Sequence, residues 1–119
     1  MEKSILQGKS FAFAIRCVKL YRYLGETKKE FVLSKQFLKS GTSIGANVRE
    51  AQNAESRADF VHKLGIVQKE CDETLFWLEL LQATELIEQK MFDRIYKDAT
   101  EILKMIKGAI LTAKGKGGK

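Results

Sequence analysis

The sequence predicts an all-α fold, an antiparallel up-down-up-down four-helix bundle. Three observations carry that expectation. The 119 residues contain no proline, and outside the C-terminal tail the glycines stand singly. Proline and clustered glycine break helices, so this composition favours long helices over a turn-rich β fold. Four long stretches space their apolar residues three and four apart, the period of a helix. The breaks between them are short, and short connections force neighbouring helices to run antiparallel.

A chain of this length is one domain, large enough to bury roughly 65% of its unfolded surface. The bundle is expected over 1–113, with helices at about 9–24, 28–54, 57–83 and 88–112 and a frayed lead-in from Met1 to Gly8. Residues 114–119, all Lys or Gly, are expected to form a disordered tail.

In helix 1, Phe11, Ala14, Ile15, Val18 and Tyr21 share one face, and Phe13, Cys17, Leu20 and Leu24 extend it. The apolar arc covers more than half the circumference, whereas a surface helix of a monomeric bundle needs an arc of about 100°. The excess suggests burial against another subunit. Gly25 suits a C-cap, and Thr27 followed by Glu30 is a capping-box pattern that starts helix 2. The centre of the chain is the second half of that helix, Ser40 to Glu55. Its two interior glycines, Gly41 and Gly45, each cost about 1 kcal/mol relative to alanine, so close packing explains them better than propensity. Phe37, Gly41, Ile44, Gly45 and Val48 share one side. A second, small and polar stripe holds Ser40, Ser43, Asn47, Glu50 and Ala54.

Ser56 with Asp59 is a second box-like pattern, opening helix 3. Its core face is Phe60, Leu64, Val67, Cys71, Leu75 and Leu78. A separate stripe of Ile66, Glu73, Trp77 and Leu80 implies packing on two sides, and we assign Ile66, Trp77 and Leu80 to an oligomer interface. In helix 4, Phe92, Ile95, Ala99, Ile102, Leu103, Ile106 and Ile110 form the buried face. Lys90, Lys97 and Lys104 repeat opposite at heptad spacing, with Arg94 and Lys107 beside them.

No catalytic, cofactor or metal site emerges. Cys17 and Cys71 lack metal-ligand spacing, and Cys71 falls on an apolar face. His62 is the only histidine and has no Glu-x-x-His partner, which argues against a di-iron bundle. Ser43 has no histidine to activate it, and the glycines at 41 and 45 follow no strand, so they are not a phosphate loop. Ser43, Asn47 and Glu50 are expected to face Lys69 or Glu73, in the same subunit or the next, in a structural polar network. No stretch is apolar enough for export or membrane spanning, so a cytoplasmic protein is expected.

Charge is the remaining functional signal. The net charge is +6, and it is uneven. The first forty residues hold nine bases and three acids, residues 41–88 hold four and nine, and residues 89–119 hold eight and three. Basic ends flanking an acidic middle suit a polyanion partner or mutual attraction of helices. The nucleic-acid candidates are Lys9, Arg16, Lys19 and Arg22 on helix 1 and Lys90, Lys97, Lys104 and Lys107 on helix 4. Helix 1 is preferred because no acid lies between Lys3 and Gly25, whereas Asp93 and Glu101 interrupt helix 4, with Asp93 and Lys97 at the spacing of an i,i+4 pair.

The run Ser43-Ile44-Gly45-Ala46-Asn47-Val48 through Glu50-Ala51 is followed by Ser56, Asp59-Phe60, Lys69-Glu70, Glu73-Thr74 and Trp77-Leu78. It resembles a bacterial four-helix-bundle family named after proteins encoded within 23S rRNA intervening sequences and often labelled S23 ribosomal protein. Lys9-Ser10-Phe11-Ala12-Phe13-Ala14 looks like that family's first helix, and the similarity spans nearly all of 5–111. Many members carry a proline between helices 1 and 2, where this chain has Gly25-Glu26. The resemblance implies a ring-like homopentamer and carries over no catalytic residues. The chain is also similar to the accessory variability protein of diversity-generating retroelements, a basic pentameric barrel that binds nucleic acid and a reverse transcriptase. The expected function is that of a non-enzymatic, self-assembling bundle that binds RNA or DNA by charge. A protein-interaction scaffold without nucleic acid is the alternative.

Overall fold

The computed structural model describes residues 4–115. Four helices follow in chain order: α1 Ile5–Thr27, α2 Leu33–Gln52, α3 Arg57–Ala83 and α4 Gln89–Ala113. There is no strand among the described residues. Each helix packs on its chain neighbours, α4 closes on α1, and the backbones of the diagonal pairs do not approach closely. The segments 28–32, 53–56 and 84–88 join them. Such segments span roughly 18 Å when fully extended, too short to return along a helix of roughly 40 Å, so consecutive helices run antiparallel.

Local chemistry explains the ends. Ser4 caps α1, its Oγ accepting from the Gln7 N–H at 3.0 Å, so the expected lead-in is helical from Ile5. Helix α1 also continues through Gly25 to Thr27, correcting the expected break there. It stops because Lys29 takes a left-handed backbone (φ 55°), letting the Glu30 N–H return to the Leu24 carbonyl at 3.0 Å. Thr27 and Glu30 therefore form no capping box. Instead Glu30 alone caps α2, its carboxylate accepting from the N–H groups of Val32, Leu33 and Ser34 at 3.1, 2.9 and 2.8 Å. Helix α2 accordingly starts at Leu33 rather than Lys28. Helix α3 has the expected bounds. Ser56 Oγ accepts from the Asp59 N–H at 3.1 Å, and Asp59 Oδ2 accepts from the Glu55 N–H at 3.1 Å. Residues 116–119 of the expected tail lie outside the described residues, while Lys114 and Gly115 form the turn that ends α4.

The core is built from Leu6, Phe13, Cys17, Leu20 and Leu24 of α1 with Phe37, Ile44 and Val48 of α2, and from Leu64, Val67, Cys71 and Leu78 of α3 with Ile95, Ala99, Ile102 and Ile106 of α4. This corrects the reading of α1. Its expected primary face points outward, with Phe11 56% and Ile15 45% exposed. Both faces fit the helical period. The one that packs inward carries the small residues Ser10 and Cys17 that fit against the α2 glycines. A Cβ at Gly41 would collide with Cys17 Sγ, and one at Gly45 would lie 3.2 Å from the Ser10 carbonyl oxygen. The glycines thus set how closely α1 and α2 approach.

Gly41→Ala is expected to destabilise by up to about 2 kcal/mol. Overpacking a core costs about 1–3 kcal/mol, against a propensity gain of about 1 kcal/mol. Cys17→Ala should recover part of that loss in the double variant, a coupling that a urea-denaturation cycle measures. Gly65→Ala in α3 meets nothing within 4 Å and should instead stabilise by about 0.5–1 kcal/mol.

The Glu30 cap gives a pH signature. Burial pushes its carboxyl up, but the N–H groups of Leu33, Ser34 and Val32 outweigh that and hold it below the usual carboxylate value. A depressed native value means stability that is present above the ordinary carboxylate range and lost as pH falls through the native value. Glu30→Gln should cost about 1 kcal/mol at neutral pH, the usual worth of a cap. In melts taken at decreasing pH, that difference should shrink toward zero.

Candidate functional site

The basic residues of α1 and α4 meet because the bundle closes α4 onto α1. Where the two helices touch, charges pair across the seam. Lys9 Nζ lies 3.6 Å from Glu101 Oε1, and Arg16 Nε lies 2.9 Å from Asp98 Oδ2. These pairs are half-exposed and contribute at most about 1 kcal/mol each, but they decide which cations remain available. The preference for α1 rests on its lack of acids, and the acids arrive from α4. Of the α1 candidates, Lys19 and Arg22 keep no ion-pair partner among the described residues.

The situation on α4 is reversed. Two of its three acids are engaged away from the outer row. Asp98 and Glu101 turn to α1, and Asp93 accepts from Gln89 Nε2 at 2.7 Å rather than pairing with Lys97. Lys90, Lys97 and Lys104, opposite the Ile95/Ala99/Ile102/Ile106 core face, are exposed and form no ion pair among the described residues; the same holds for Lys107 and Arg94. On the α3 side the Tyr96 hydroxyl donates to Glu79 at 2.7 Å, a bond that raises the tyrosine's pKa.

Between the basic edges lies a groove of about 260 Å³. Arg16, Lys19 and Arg94 rim it, over a floor of Leu20, Tyr23, Met91 and Ile95. A second cleft of about 430 Å³ lies between α1 and α2. There Glu50 stands near Arg49, whose guanidinium carbon sits 6.0 Å from the Phe11 ring centre.

The polar stripe of α2 does not form the expected network within the chain. Ser43 Oγ donates to the Lys39 carbonyl at 2.7 Å, and Asn47 Nδ2 donates to the Ser43 carbonyl at 2.8 Å. Each is satisfied one turn back on its own helix. Glu50, Lys69 and Glu73 are exposed. The polar link between α2 and α3 is one residue set deeper. Thr74 Oγ1 donates to Ser40 Oγ at 3.0 Å, both side chains being buried. Glu70 sits nearby with its carboxyl pushed up by burial and by Glu73, against the pull of Lys39 and Lys69.

Ile66, Trp77 and Leu80 are part-buried, and Trp77 packs against the core. The neighbouring Phe76, 55% exposed, meets the Trp77 ring edge-on at 5.0 Å, and the Trp77 indole N–H has no hydrogen-bond partner among the described residues. His62 is exposed. Both cysteines are free and buried. Burial pushes the Cys17 thiol far up and, with help from Asp72 and Glu70, the Cys71 thiol to about 12, so neither is a nucleophilic thiolate near neutral pH. No three His, Cys, Asp or Glu side chains are placed to hold a metal among the described residues, and no described helix is long and apolar enough to cross a membrane.

No curated protein matches the chain. The crystal structure of a protein of unknown function from the S23 ribosomal protein family of Bacteroides thetaiotaomicron VPI-5482 is similar to it. The two share 53% identity at a TM-score of 0.88, over 89% of this chain and 98% of that one. The model of the 23S rRNA-intervening sequence protein family matches residues 2–108. The chain belongs to that family.

Proposed function

We propose that this chain is a non-enzymatic, self-assembling bundle of the cytoplasm that binds RNA or DNA through its basic surfaces without sequence specificity. The observation that carries this reading is the Lys90, Lys97 and Lys104 row: three exposed amines at heptad spacing that form no ion pair among the described residues, while Asp98 and Glu101 of α4 pair with α1. Uncompensated amines in a row match the regular charges of a polynucleotide backbone, and phosphate contacts of this kind carry no sequence information. Lys19 and Arg22 extend the same side of the bundle.

Self-assembly is the second part of the proposal. Phe11, Ile15 and Phe76 are large apolar side chains left half in water. A neighbouring copy at Phe76, Trp77, Ile66 and Leu80 would remove apolar surface worth roughly 25 cal/mol per Å². A ring, the pentamer of the family resemblance, repeats each lysine row once per subunit and turns weak contacts into a polyvalent surface. The same apolar surface also favours a second reading, a protein-interaction scaffold. A nucleic-acid enzyme such as a reverse transcriptase is a partner compatible with both.

Light scattering at micromolar concentration should return a multiple of the protomer mass, and a monomer would overturn the assembly. For binding, the wild type should retain RNA and DNA at low salt and release both steeply as salt rises. Replacing Lys90, Lys97 and Lys104 together by glutamine should leave the assembly intact and flatten the salt slope, by about 0.7–0.9 for each phosphate that is no longer neutralised. No binding by the wild type at low salt would leave the scaffold reading in its place.

A further inference from the structure

We propose that the groove between α1 and α4 takes one unstacked base of a single-stranded nucleic acid, with the flanking phosphates on Arg16, Lys19 and Arg94. This rests on the nucleic-acid reading above and specifies the form of polymer that is bound.

The lining of the groove points to this occupant. Its rim is wholly cationic and its floor apolar with one aromatic ring, Tyr23, packed on the core. No carboxylate lines it. Asp98, the partner of Arg16, lines an adjoining depression together with Lys9 and Ile102. A ligand that satisfies both parts carries negative charge beside a flat, largely apolar body. A nucleotide does, whereas inorganic phosphate would leave the floor unused.

Size narrows the occupant further. The volume, about 260 Å³, falls below the roughly 300–1,000 Å³ of sites that enclose a whole ligand. The groove holds a part of something larger. The cations that lie beyond it, Arg22 on α1 and the lysine row on α4, supply a path for the rest of the chain. A charged track with an aromatic side chain between its edges is how proteins hold single strands, because every base has a face to stack whatever its identity. A duplex keeps its bases stacked inside and can offer this groove only phosphates. RNA and DNA share the base and phosphate that are engaged, so both are expected to bind.

The test compares a mixed-sequence oligonucleotide as single strand, as duplex, and as single strand with abasic sites, in RNA and DNA forms, by fluorescence anisotropy. The single strand should bind about tenfold more tightly than either the duplex or the abasic strand. Tyr23→Leu should abolish that advantage and leave duplex binding and its salt slope unchanged, while Tyr23→Phe retains the advantage. Arg94→Gln should weaken single-strand binding more than duplex binding. Circular dichroism checks that the variants fold, and the abasic comparison needs no variant at all. Equal binding of the single strand, duplex and abasic strand would overturn this inference and leave the lysine-row reading standing. Failure of every form to bind at low salt would overturn both.

Discussion

The bundle depends on how closely α1 and α2 can approach. Gly41 and Gly45 present bare backbone to Cys17 and Ser10, and no side chain larger than hydrogen fits at Gly41 without displacing the sulfur. Interior glycines cost helix stability, and here the loss is offset by contact area. Phe13 and Phe37, one from each helix, are both fully buried. The close approach also buries the cysteine, whose thiol is held protonated by burial and acts as a small hydrophobe. The seam is tied at one end by Gln52 Nε2 donating to the Ser4 cap oxygen at 3.3 Å, which joins the start of α1 to the end of α2.

That seam also fixes what α1 shows to solvent. A helix with apolar residues around most of its circumference can dock in more than one rotation. Docking on the Ser10/Cys17 side sends Phe11 and Ile15 outward and turns Lys9 and Arg16 toward α4, where Glu101 and Asp98 meet them. A packing constraint on one side of α1 therefore decides the electrostatics on the other. Asp98 and Glu101 of α4 are drawn to the seam, and the lysines of its outer row are left without an ion-pair partner among the described residues.

How much of this is legible in the sequence follows from how local each signal is. Helix α3 is readable to the residue because Ser56 and Asp59 cap it within one turn. The packing role of Gly41 and Gly45 is readable because glycine weakens a helix interior and persists there where a larger residue would not fit. The α1–α2 junction misleads because its devices are less usual. A lysine, not a glycine, takes the left-handed position, and one glutamate caps three N–H groups ahead of it. Gly25 lies inside the helix, where the Phe31 ring would come within 3.3 Å of a Cβ. The start of α1 does carry a readable signal, since Ser4 and Gln7 stand at capping-box spacing. The pairing of Lys9 and Arg16 is not legible. It needs the rotation of α1 and the closure of α4, both long-range, and within its own helix each looks unpaired. The groove on Tyr23 and Arg94 is hidden for the same reason, its walls being some seventy residues apart in sequence.

The charge asymmetry along the chain becomes spatial only through closure of the bundle. The first and last quarters are basic and the middle is acidic, and in sequence the two basic segments are as far apart as possible. Because α4 packs on α1, they form one side of the molecule, while the acid-rich α3 lies diagonally across from α1. The ion pairs at the α1–α4 seam do not reduce this asymmetry. Each pairs one cation with one acid, so the excess of positive charge on that side is unchanged. A surface charge distributed in this way is stronger toward a polyanion than the same charges evenly mixed, because attraction over a Debye length of about 8–10 Å is set by local rather than total charge.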